Sequence, residues 1–184
     1  MTTETEGGPP PDLFLRLYPD PVLRRRATDI KRIDDRVREG AKRMFQIMYE
    51  SRGIGLAAPQ VGWSERIFVV NLAGENGSAD QEMVFINPVL SQFAGESTYE
   101  EGCLSFPEIH VEVTRPETVR IEAYDLQGEK FTLDASDLLA RCLQHENDHL
   151  DGILFVTRIS NSARLSIRKA LKELEKRFAE ERAR

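Results

Sequence analysis

The stretch His145-Glu146-Asn147-Asp148-His149 constrains this chain more than any other. It holds two of the only 3 histidines in 184 residues. It closes a segment, about Ser136 to Asp151, in which Leu139, Cys142 and Leu143 recur at helical spacing and Gly152 supplies a stop. On a helix, positions i and i+4 stand one above the other, roughly 5–6 Å apart. Two imidazoles placed this way can hold one metal ion. The apolar stripe turns the pair inward, where buried rings need partners. Glu146 is about 100° of helical turn from His145. It can therefore flank the ion without ligating it, which suits a general base in a metal hydrolase. The plainer alternative is a charged helix carrying two surface histidines.

A catalytic metal usually keeps three protein ligands and one open position. The long zincin signature would place a histidine at position 155, which is Phe155. Glu173 and Glu175 lie further downstream, on a stretch so charged that both read as solvated surface. Cys103 and His110 remain as upstream candidates. Cys103 stands in Glu101-Gly102-Cys103-Leu104-Ser105, beside an expected strand end. Its thiolate would be a stronger and softer ligand than a third imidazole. A small buried hydrophobe is the commoner fate of a lone cysteine. A disulfide with Cys142 is disfavoured in a reducing compartment.

The rest of the chain predicts an α+β protein. A first helix is expected from about Asp34 to Ser51, with Val37, Ala41, Met44, Phe45 and Met48 on one face. Asp34 or Asp35 can cap it. The segment GIGLAAPQVGW reads as a Gly/Ala/Pro loop. Short strands are expected at Ile67–Leu72, Met83–Pro88, Ser97–Gly102, Val111–Val113, Val119–Asp125 and Lys130–Asp134, the last two flanking a hairpin turn. A third helix covers roughly Asn161 to Arg182, with Ile167, Ala170, Leu171, Leu174 and Phe178 as its stripe. Strands in one run, with helices before and after them, suit the α+β class.

Charge and composition narrow the function. With 25 basic and 31 acidic residues, the net charge of −6 argues against nucleic-acid binding by the whole surface. No run approaches 18 apolar residues, so no spanning helix and no membrane role are expected. Two cysteines make no disulfide framework. Residues 1–11 are acidic and rich in Gly and Pro, a disordered tail rather than a signal or transit peptide. One domain over residues 12–184, in the cytoplasm, is the expectation.

Three blocks together carry a family resemblance: Gly53-Ile54-Gly55-Leu56-Ala57-Ala58-Pro59-Gln60, Glu101-Gly102-Cys103-Leu104-Ser105, and Gln144-His145-Glu146-Asn147-Asp148-His149-Leu150-Asp151-Gly152. In order and spacing the chain resembles peptide deformylase from about Leu15 to Ile159. The resemblance implies antiparallel strands packed around a central metal-binding helix, with a C-terminal helix. It implies removal of the formyl group from the N-terminal formyl-methionine of new polypeptides. It makes Cys103, His145 and His149 the ligands of one divalent ion, most often ferrous iron, with zinc, nickel or cobalt accepted. It makes Glu146 the general acid/base, and gives the oxyanion to the Gln60 amide and the Leu104 backbone N–H. Ile54, Gly55 and the helix around Cys142 would border the methionine pocket. His110 stands where many members carry arginine, so any substrate contact of that arginine is in question here.

Residues 160–184 hold eight basic side chains and four acidic ones, a net of +4 that leaves −10 on the remainder. A solvated helix with pairs such as Glu173–Arg177 accounts for this pattern. Docking on ribosomal RNA is the functional alternative, and such binding would weaken steeply with salt. Sequence-specific nucleic-acid binding is not expected.

Overall fold

Asp34 opens the first long helix. Its carboxylate accepts the Val37 N–H at 3.3 Å, and α1 (Asp35–Glu50) follows. The five apolar residues read as one stripe are all buried. The structure is a computed structural model and describes residues 12–183; the expected tail over residues 1–11 lies outside them.

Seven strands follow: β1 (Gly55–Ala57), β2 (Ile67–Val70), β3 (Met83–Ala94), β4 (Ser97–Cys103), β5 (Phe106–Arg115), β6 (Thr118–Tyr124) and β7 (Lys130–Ser136). They form a five-stranded sheet in the order β1-β2-β3-β6-β7 and a separate β4-β5 ribbon. Every pairing among them is antiparallel. Helix α2 (Asp137–Leu150) lies against β1, β2, β6 and β7, and α3 (Asn161–Arg182) lies on β5. This is the α+β arrangement of strands about a histidine-bearing helix.

Strand β2 shows why the sheet sits between two helices. Side chains alternate along a strand. Ile67 and Val69 join the core with α1, while Phe68 and Val70 join the core with Ala140, Leu143 and Leu150 of α2. A strand apolar on both faces needs cover on both, and the unbroken Ile-Phe-Val-Val run provides for it.

Four elements differ from the sequence reading. The expected loop at Gly53–Trp63 contains β1 and a short 3-10 turn, Ala58–Val61. Small residues hid that strand, which is wholly buried between β2 and α2. Strand β3 runs on past Pro88, because a register irregularity between Ile86 and Val89 takes the proline out of the ladder. Asn87 there adopts φ +49° and exchanges two 2.9 Å hydrogen bonds with the Ile30 backbone, tying down the N-terminal segment. Strand β5 is ten residues long rather than three, since an irregularity between Gly102 and Cys103 absorbs Pro107, Glu108 and Ile109. On α3, only Ile167 and Leu174 of the expected stripe are buried, and Ala170 is exposed.

Candidate metal centre

Helix α2 is buried from Ala140 to Leu150 except at Asn147, although six of its buried residues are polar or charged. Buried polar groups demand partners, and the partners define the site. His145 and His149 stand one turn apart with their Nε2 atoms 3.2 Å from each other. Cys103 ends β4 and brings its Sγ to 3.3 Å from His149 Nε2. One ligand atom from each of these three residues lies within 4.8 Å of the others. His110 is exposed on β5, and Glu173 and Glu175 are exposed on α3; none joins the cluster. Both cysteines are free thiols, so the Cys103–Cys142 disulfide does not form.

The donor set fits a cation. His145 Nδ1 lies 3.1 Å from Glu101 Oε2, which favours the proton on Nδ1 and leaves the Nε2 lone pair facing the cluster. Burial, the largest cause, with the positive charge of Arg115, holds His149 well below the usual imidazole range, so its ring is neutral. Lone pairs from two nitrogens and a sulfur then converge on one point. A divalent ion satisfies all three at once, and an N₂S set suits zinc or ferrous iron.

Glu101 is an anion here. Burial pushes its carboxyl up, but hydrogen bonds from His145 and Arg115 outweigh that and hold it at about 2. Glu146 behaves oppositely. Burial raises its carboxyl to about 7, against the pull of Arg115. Its Oε2 is buried with no hydrogen-bond partner among the described residues. Cys142, one turn before Glu146, is pushed well above the usual thiol range by burial and the nearby carboxylates, so it stays protonated.

Gln60, in the 3-10 turn that follows β1, stands beside the cluster. Its Oε1 accepts the Ala57 N–H at 2.8 Å, which fixes the amide's orientation. Its Nε2 then faces Ser105 Oγ at 3.2 Å and Cys103 Sγ at 3.5 Å. A cleft of about 610 Å³ opens over these groups. Ile54, Gly55, Gln60, Cys103, Leu104, Cys142, His145 and Glu146 all line it, so every site residue expected from the sequence except His149 borders the cleft. His149 lies deeper, 1% exposed.

Such a constellation can activate water next to a carbonyl held in the cleft. A family model described as polypeptide deformylase matches residues 14–165. The peptide deformylase of Neisseria gonorrhoeae (strain ATCC 700825 / FA 1090) is 50% identical over 159 residues, 86% of this chain and 93% of that protein. This chain belongs to the polypeptide deformylase family. Peptide deformylase 1B, chloroplastic, of Oryza sativa subsp. japonica is 46% identical over 171 residues, which are 92% of this chain and 63% of that longer protein. The crystal structure of a plant peptide deformylase superposes with a TM-score of 0.89 at 41% identity, covering 98% of this chain and 95% of that one. The Cys-His-His cluster is thus the metal site of a deformylase.

The sequence reading missed the groups that surround the ligands. Glu101 is two residues before Cys103 on β4, and residues i and i+2 share a face of a strand. That spacing was a usable signal. Asp148, next to His149, and Ser105, two residues after Cys103, also meet at the site, whereas only the tertiary fold brings Arg115 and Arg141 there.

Proposed function

We propose that residues 12–184 form one catalytic domain in which Cys103, His145 and His149 hold a divalent ion and Glu146 moves the protons of deformylation. The enzyme is a peptide deformylase, and its substrate is a formylated peptide. The amide between formyl and the N-terminal amine is hydrolysed to formate and the free amine. The observation that supports these assignments is the meeting, in one cleft, of three converging ligand atoms and a buried carboxylate with one oxygen unpaired.

A divalent ion bound there supplies Lewis acidity and lowers the pKa of a bound water from about 15.7 towards neutral. Glu146 takes a proton from the attacking water and returns one to the departing amine. The amide of Gln60 and the Leu104 N–H donate to the formyl oxygen as it gains charge, a role that needs donors already in place. Gln60 meets that need because Ala57 holds its other end. Ile54, Gly55 and Cys142 form the wall that receives the methionine side chain. Ferrous iron is the expected native ion, with zinc, nickel or cobalt accepted in its place.

Metal analysis of anaerobically purified protein, paired with a formyl-Met-Ala-Ser hydrolysis assay, tests this reading. One ion per chain and formate release support it. A metal-replete protein that leaves the formyl group in place contradicts it.

The expected setting is the cytoplasm, on nascent chains. Helix α3 is exposed along most of its length and carries the basic excess. It supports docking on ribosomal RNA. Reversing Arg168, Lys169 and Lys172 to Glu, all exposed, should abolish low-salt co-sedimentation with ribosomes. Unchanged co-sedimentation would sink the docking idea and leave a solvated helix.

A further inference from the structure

Behind the metal ligands lies an ionic cluster that the reaction above does not use. Glu101 is two residues before Cys103 on β4, and Asp148 is the residue before His149 on α2. Arg115, the last residue of β5 and 4% exposed, reaches both. Its Nε and Nη2 grip Glu101 at 2.7 and 3.0 Å, and its Nη1 meets Asp148 at 2.9 Å. Arg141 adds a second guanidinium to Glu101 and anchors itself on the Val113 and Ser97 carbonyls. Arg158 closes on Asp148 from the solvent side.

The ligands come from two separate elements. Cys103 ends a two-stranded ribbon, while His145 and His149 ride on a helix packed against the other sheet. Apolar contacts tolerate small sliding, but a rigid planar fork holding two carboxylates does not. Desolvating so many charges is costly compared with apolar packing. The placement of the bridge, one or two residues from each ligand, gives that cost a purpose.

The geometry points to Arg115 as a positioning residue: by bridging Glu101 and Asp148 it fixes the strand that carries Cys103 to the helix that carries both histidines, and so sets the dimensions of the metal site. This inference rests on the reading of those three residues as ligands.

The test uses the whole chain loaded with cobalt(II), whose thiolate charge-transfer absorption reports ligation by Cys103. The rate of cobalt loss to excess chelator is followed well below the melting temperature. Arg115→Met and Asp148→Asn should each release cobalt about 10–100-fold faster than wild type, the usual cost of losing a partner behind a metal ligand. Arg115→Lys keeps the charge but not the fork and should release fast as well. Arg120→Gln, which breaks an exposed pair with Asp134 on the outer face of the sheet, should release at the wild-type rate. A merely structural role would lower the melting temperature of the metal-free protein and leave the release rate alone. Folded Arg115 and Asp148 variants that release at the wild-type rate overturn the proposal. If Arg115→Met does not fold, Asp148→Asn decides. A wild-type protein that takes up no cobalt overturns the ligand reading itself.

Discussion

A Cβ on Gly55 would stand 2.5 Å from Glu146 Oε1 and 2.8 Å from Cys142 Sγ, so the Glu146 carboxyl rests against bare backbone. No side chain fits between strand β1 and the row that Cys142 and Glu146 make on α2. Gly55→Ala should therefore push the carboxyl out of place without touching the ligands. Misplacing a reacting group by an ångström costs about 10²-fold. Steady-state kinetics should show kcat down by about that factor, and metal analysis should show full occupancy.

Glu146→Ala separates binding from chemistry. The carboxylate is no member of the ligand cluster, so the variant should keep its ion. Positioned proton transfer is worth about 10²–10⁴-fold, and formate release should fall by at least that much. An active Glu146→Ala enzyme would defeat the proton-transfer assignment.

Gln60 combines two roles that different substitutions pull apart. Gln60→Ala removes the Nε2 donor and also orphans the buried Ala57 N–H. It should lower kcat by about 10²–10³-fold and stability by about 1–3 kcal/mol. Gln60→Glu keeps an acceptor for Ala57 but removes the donor. Its activity should fall as far, while thermal unfolding changes less. Equal melting losses in the two variants would contradict this division.

How much of this the sequence disclosed depends on the range of the interaction. Helix α1 was legible because its stripe and its Asp34 cap are local. The ligand pair His145 and His149 was legible because one helical turn sets their spacing. Cys103 was one of several candidates on its local pattern; the family resemblance singled it out, and the fold brings its Sγ to His149. Strand β1 was not legible, because Gly55 and Ala57 are small for the sake of close approach to α2, and that need appears only in three dimensions. Arg115 carried no local signal, since both its carboxylates arrive from other elements.

Gly152 tests the packing beneath the site. It follows α2 with φ +72°, and a Cβ there would meet the Arg24 carbonyl oxygen at 2.6 Å. Left-handed backbone and overpacking both penalise a side chain, so Gly152→Ala should cost more than about 2 kcal/mol. Denaturant unfolding of the metal-loaded protein measures it. A loss under about 0.5 kcal/mol, the range of an inert surface change, would mean that the turn relaxes freely.

The most direct measurement of the whole account is an anomalous-scattering map from crystals of the anaerobically prepared, metal-replete enzyme. The account predicts one ion bonded to Cys103 Sγ at about 2.3 Å and to both Nε2 atoms at about 2.0–2.1 Å, the zinc values, with Glu146 beside it and unbonded. An ion held elsewhere, or one bonded to Glu146 in place of the Cys103 sulfur, would contradict it.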